Sequence, residues 1–137
     1  MVESSSKPLV TITGVSGYLG SHTCLAFLKS GNYRVRGTVR STTNEKKIEP
    51  LRKAFGEYFD QLELVEADLL DEESMMKAIE GSDLVAHIAS PFFVGKPKHE
   101  DELIKPAVNG TISALKAATA AGVKRVVITS SLISVGC

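Results

Sequence analysis

Five short runs rich in Val, Ile and Leu alternate with longer segments of helical periodicity, and this alternation limits the chain to a narrow set of folds. The runs cover residues 9–13, 34–39, 62–66, 84–88 and 125–129. The first, fourth and fifth are almost continuously apolar, as strands buried on both faces of a parallel sheet must be. The segments between them predict helices over about 17–30, 43–55, 72–80 and 106–121. In the last, Val108, Thr111, Ile112, Leu115, Ala118 and Thr119 recur at three- and four-residue steps. Gly31, Gly81 and Gly122 each follow a helical pattern, where a left-handed cap favours glycine. Strands separated by helical crossovers pair in parallel. The expected fold is therefore α/β, an open parallel sheet with helices on both faces.

The length and composition suit one such unit. The chain has 137 residues, 43% hydrophobic and 23% charged. We read a polar lead-in over 1–8 and a single domain over 9–137. Sixteen Lys and Arg balance sixteen Asp and Glu, so no global field draws the chain to nucleic acid or an anionic membrane. No apolar stretch approaches the roughly eighteen residues of a spanning helix, and the first eight residues lack a signal-peptide core. Cys24 and Cys137 offer neither a disulfide framework nor zinc spacing; Cys24 is expected in the core. The setting expected from these features is cytoplasmic. The chain stops soon after the fifth run with no helical pattern following, so a truncated front part of a longer fold is expected. Its fifth strand would then be an exposed apolar edge that invites self-association.

Between the first run and the first helix stands Gly14-Val-Ser-Gly17-Tyr-Leu-Gly20. A glycine turn in that place is a dinucleotide-binding signal. Gly14 permits the tight turn, Gly17 lets backbone N–H groups approach a pyrophosphate, and Gly20 lets helix and sheet pack closely. The amides of Tyr18 and Leu19, at a helix N-terminus, become anion donors. The end of the second run reads Gly37-Thr-Val-Arg40-Ser41-Thr42, with no carboxylate before Glu45. An NAD site usually places Asp or Glu there. Arg40 can instead clamp a 2′-phosphate, with charge added by Lys46 and Lys47, or it is simply a solvated strand end. NADP is thereby favoured over NAD.

Three further positions carry open alternatives. Asp68 can accept from an adenine amino group, or Asp68 and Asp71 cap the next helix. His87, inside an apolar strand, reads as a satisfied core residue more readily than as a ligand. Phe92 and Phe93, in a loop marked by two prolines and a glycine, line a substrate pocket or cover the sheet.

The segments VTITGVSGYLGSH, GTVR, ADLLD, VAHIASP, KPAVNGT and KRVVITSS together resemble the front part of the extended short-chain dehydrogenases/reductases. These belong to the NAD(P)-dependent epimerase/dehydratase superfamily, and the nearest likeness is to its dihydroflavonol reductase and cinnamoyl-CoA reductase group. The resemblance implies an NAD(P)-binding Rossmann fold and hydride transfer from NADPH to a carbonyl of a small molecule. It places Gly14, Gly17, Tyr18 and Leu19 on the pyrophosphate, with Gly20 completing the turn. Arg40 and Lys47 match its 2′-phosphate contacts, Asp68 and Leu69 its adenine contacts, Ala89 and Ser90 its ribose and nicotinamide strip. Ser131 matches its catalytic serine, with Ser130 as the neighbouring alternative. One departure is large: the family's acid is a tyrosine four residues before a lysine, and here Tyr18, Tyr33 and Tyr58 are followed at that spacing by His22, Gly37 and Leu62. Two other readings thus stand beside the reductase. One is a catalytically inactive dinucleotide-binding module. The other is a nucleotide-sugar epimerase or dehydratase, against which Arg40 counts.

Overall fold

The structure is a computed structural model that describes residues 7–91 and 95–136. Its elements follow the order β1 (Leu9–Ile12), α1 (Tyr18–Ser30), β2 (Arg34–Val39), α2 (Glu45–Phe55), a 3-10 helix (Gly56–Gln61) and β3 (Leu62–Glu66). Then come α3 (Glu72–Ile79), β4 (Leu84–His87), α4 (Asp101–Ala120), β5 (Arg125–Ile128) and α5 (Leu132–Gly136). The five strands form one sheet in the order β3-β2-β1-β4-β5, and every pair is parallel. The chain winds outward from β1 to β3 and then crosses back to β4. The direction reverses between β1 and β4, which is where a crevice opens at the carboxyl ends of such a sheet.

The alternation of side chains along each strand sorts the core into two layers. On one face Val10, Ile12, Val35 and Val39 pack with Cys24 and Leu28 of α1 and with Ile48, Leu51 and Phe55 of α2. On the other, Val85 packs with Met75, Ala78 and Ile79 of α3 and with Ala114 and Ala117 of α4. Ala86, next along β4 from Val85, belongs to the first layer. Full burial of a side chain such as Ile12 stabilises the fold by about 1.5–3 kcal/mol. Burial also pushes the Cys24 thiol up to about 12, so it packs as a small apolar group and is not a nucleophile.

Two expectations need correction. Helix α4 begins at Asp101, five residues before the expected start, and Pro106 lies inside it. Proline is best tolerated where helical N–H groups already lack partners, which is why the sequence suggests a start there. The acidic Asp101 and Glu102 instead open the first turn and complement its partial positive charge. The carbonyl of Glu102, four residues before Pro106, belongs to an exposed residue that water can solvate. The second correction is α5, where no helix was expected. Its five residues are too few to show periodicity. Ser131 nucleates it, the Ser131 Oγ accepting from the Ile133 N–H at 3.2 Å.

Candidate functional site: the cleft at the carboxyl ends of β1, β2, β3 and β4

A cleft of about 610 Å³ opens at the crevice. Its lining includes all eleven residues expected at a cofactor: Gly14, Gly17, Tyr18, Leu19, Gly20, Arg40, Lys47, Asp68, Leu69, Ala89 and Ser90. Backbone geometry fixes the turn at its centre. Gly14 adopts φ +72°, and a Cβ there would lie 2.9 Å from the Cβ of Ala89. A Cβ on Gly20 would collide with the carbonyl oxygen of Gly14. The turn thus needs hydrogen at both positions, one to reach the left-handed region and one to let α1 close on it.

The second strand is moulded to this turn. The Gly14 N–H donates to Thr38 Oγ1 at 3.1 Å, and the Val15 N–H donates to the Thr38 carbonyl at 3.1 Å. A Cβ on Gly37 would meet both Cγ atoms of Val15 at 2.7 Å. Gly37 and Thr38 therefore set the distance between the turn and the tip of β2, where Arg40 emerges.

The electrostatics at the floor and rim favour an anion. Helix α1 starts at Tyr18 with no side chain capping it and no acidic residue in its first turn. Helices α2, α3 and α4 all carry acidic residues there. The first amides of α1 have no partner inside the helix and carry its partial positive end into the cleft. Arg40 and Lys47 are exposed, and among the described residues neither takes part in an ion pair. The acids of α2 are engaged elsewhere, Glu45 and Glu49 with Arg52 and Glu49 with Lys53. Lys46 does not line the cleft. The nearby Glu66 carboxylate accepts from the Thr42 N–H at 2.9 Å and the Thr42 hydroxyl at 2.8 Å. These two bonds hold Glu66 below the usual carboxylate range and pin the loop that follows Arg40.

The two aspartates differ in their bonding. Asp71 caps α3, accepting from the N–H groups of Glu73 and Ser74. Asp68 lines the cleft, with Oδ1 accepting from the Leu70 N–H at 2.9 Å. His87 is a satisfied core residue, 3% exposed and bonded through Nδ1 to Thr13 Oγ1 at 3.0 Å. Ser130 and Ser131 follow β5 and do not line the cleft; the Ser130 and Ser134 hydroxyls lie 3.1 Å apart. Phe92 and Phe93 lie outside the described residues.

Ser16, Thr38, Val39, Ala67, Leu70, Ile88 and Pro91 also line the cleft, though none of them was singled out as a cofactor contact. Val39, Ala67 and Ile88 end or directly follow their strands, so the rule that ligands bind at carboxyl ends could have found them. Thr38 gave no such signal, because its role depends on a turn 24 residues away.

Comparison with known proteins agrees with this geometry. The chain is 40% identical over 131 residues to dihydroflavonol 4-reductase of Hordeum vulgare, covering 95% of this chain and 36% of that protein. It is 38% identical over 136 residues to cinnamoyl-CoA reductase CAD2 of Medicago truncatula, covering 98% of this chain and 41% of the relative. Among solved structures, Gre2 from Candida albicans in complex with NADPH superposes with a TM-score of 0.75 at 33% identity. That match covers 91% of this chain and 37% of the other. The chain thus spans well under half the length of these relatives. The profile of the NAD dependent epimerase/dehydratase family matches residues 10–136. With five parallel strands in Rossmann order and a glycine turn at the switch point, the chain belongs to the NAD dependent epimerase/dehydratase family.

Proposed function

We propose that this chain forms the NADPH-binding part of a carbonyl reductase of the dihydroflavonol/cinnamoyl-CoA reductase type. The observation that carries the reading is the pairing of two cations, Arg40 and Lys47, with a carboxylate-free helix N-terminus on one cleft. A cofactor bearing both a pyrophosphate and a 2′-phosphate satisfies both features. The amides of Tyr18 and Leu19 bind the pyrophosphate, and Gly14, Gly17 and Gly20 let it approach. Arg40 and Lys47 take the 2′-phosphate, Arg40 through its planar fork. Asp68 and Leu69 hold the adenine, while Ala89 and Ser90 flank the ribose and nicotinamide. When bound, the cofactor supplies hydride.

Ser131, or its neighbour Ser130, is the hydroxyl that holds the substrate carbonyl. The substrate is a small carbonyl compound, as the names of the plant relatives suggest for those proteins. The proposal includes a cytoplasmic setting, supported by the free, buried thiol of Cys24; among the described residues no helix is long and apolar enough to cross a membrane. It also includes self-association through the open edge of β5. A second reading, a dinucleotide-binding module without catalysis, is favoured by one observation. No tyrosine among these 137 residues stands four places before a lysine, so the chain lacks that general acid.

Fluorescence titration of the chain with NADPH, with NADH in parallel, tests the binding reading. Saturable binding of NADPH with NADH at least about tenfold weaker is expected. Equal binding of the two would remove the NADP assignment. In an assay for NADPH oxidation with cinnamaldehyde-type carbonyls, turnover by the chain would exclude the module without catalysis; binding without turnover is what a cofactor-binding part lacking the tyrosine gives under either reading.

A further inference from the structure

Thr13 is the last residue before the phosphate turn, and His87 is the last residue of β4. Both are buried, at 0% and 3% exposure. The Thr13 Oγ1 makes three hydrogen bonds. It accepts from the Ile88 N–H at 2.9 Å and from the Ala89 N–H at 3.0 Å. Its third partner, at 3.0 Å, is His87 Nδ1. A hydroxyl has one proton and two lone pairs. The two amides are donors only, so they occupy both lone pairs, and the single hydroxyl proton must go to Nδ1. Nδ1 is therefore bare, and the ring is neutral with its proton on Nε2.

We propose that His87 is a positioning residue for the cofactor: fixed as the Nε2–H tautomer, it orients the Thr13 hydroxyl so that Thr13 holds the amides of Ile88 and Ala89 and sets the strip after β4 against the phosphate turn. This rests on the reading of the cleft as an NADPH site. The contact through which the strip acts is close, because a Cβ on Gly14 would lie 2.9 Å from the Cβ of Ala89. A displacement of Ala89 by a few tenths of an ångström would therefore reach the turn. Desolvation of the ring, which lowers its pKa, keeps it in the neutral form this arrangement requires. An apolar residue at 87 would leave the Thr13 proton without its acceptor, and the hydroxyl would rotate to find another at the expense of one of the two amides. The arrangement has a further consequence. With both amides held by Thr13, the strip offers neither the Ile88 nor the Ala89 N–H to the pyrophosphate.

The test combines a spectroscopic signature with a rescue. Two-bond ¹H–¹⁵N spectra of the 137-residue chain at neutral pH report which nitrogen of the His87 ring carries hydrogen, with His87→Asn identifying the signals. NADPH titrations then compare the wild-type chain, His87→Asn and His87→Leu. Asn places its amide oxygen close to the position of Nδ1 and can accept from Thr13, whereas Leu cannot. A bare Nδ1 with a protonated Nε2 is expected, together with NADPH affinity within about twofold of wild type for His87→Asn and about five- to twentyfold weaker for His87→Leu. Hydrogen on Nδ1, or equal affinity in the two variants, would overturn the proposal. A wild-type chain with the expected ring state that binds no NADPH would overturn the cofactor reading, and the positioning role with it, while leaving the tautomer standing.

Discussion

The two outer strands of the sheet are built on opposite principles. The edge at β3 carries Glu63 and Glu66, and both carboxylates are engaged. Glu63 pairs with Arg36 Nε at 3.0 Å, and Arg36 Nη1 in turn donates to the carbonyls of Ala78 and Glu80 where α3 ends. Glu66 holds Thr42. Charge on an edge strand discourages pairing with a second chain, and here Glu66 also ties down the loop that follows Arg40 while Glu63, through Arg36, holds the end of α3. The edge at β5 carries a single charge, Arg125 at its start, and is apolar beyond it. Val127 is 61% and Ile128 40% exposed, and Leu132, Ile133 and Val135 of α5 extend the apolar surface. The contrast separates the two proposed sites: the side of the sheet that frames the proposed cofactor site is tied down by its own charges, while the side carrying the proposed catalytic Ser131 is open.

The sharpest way to break the tied-down side is at its turn. Gly20→Ala drives a Cβ into the Gly14 carbonyl, where only backbone can yield. We expect a loss of about 2–4 kcal/mol of stability and NADPH affinity reduced at least about a hundredfold, read by urea unfolding and fluorescence titration. Retained affinity would mean that the turn is not the anchor of the site.

The open side can be sharpened by making it resemble β3. Val127→Lys places a charge on the edge. Sedimentation velocity is expected to show concentration-dependent association of the wild-type chain, a largely monomeric variant, and NADPH affinity unchanged between them. A wild-type chain that stays monomeric at all concentrations would contradict the reading of β5 as an associating edge.

A smaller effect is expected from pH. Burial holds His87 below its ordinary 6.5, so in the intervening range the unfolded chain binds a proton that the folded chain excludes. The contribution is fully present above 6.5 and is lost as pH falls through the lowered folded value. The urea midpoint should therefore fall between about pH 7 and pH 5, and more steeply in wild type than in His87→Asn. Parallel curves would show that His87 does not titrate differently in the two states.

What the sequence reveals follows the range of each interaction. β2 and β3 match their expected bounds, and the other three strands end one residue early, because a β-branched run is a local property. Much of the lining was legible for a related reason: Gly14, Arg40, Asp68 and Ala89 sit within two residues of a strand end, and Gly17 and Gly20 belong to the glycine turn that follows β1. The start of α4 was not legible, since Pro106 gives a stronger local signal than the acidic turn that precedes it. Nor were the bonds that set the shape of the site. Thr13 and His87 are 74 residues apart, and Thr42 and Glu66 are 24 apart. No periodicity links such pairs, and only the sheet order brings them together.

The central claim is that Arg40 recognises a 2′-phosphate at the cleft this chain forms. It is tested most directly by titrating Arg40→Ala with NADPH and NADH beside the wild-type chain. Arg40 is exposed and holds no structural partner among the described residues, so the variant should fold as wild type does. The account predicts NADPH affinity lower by about ten- to a hundredfold, NADH affinity within about twofold, and a preference for NADPH that largely disappears. Equal loss for both cofactors, or no loss for either, would contradict it.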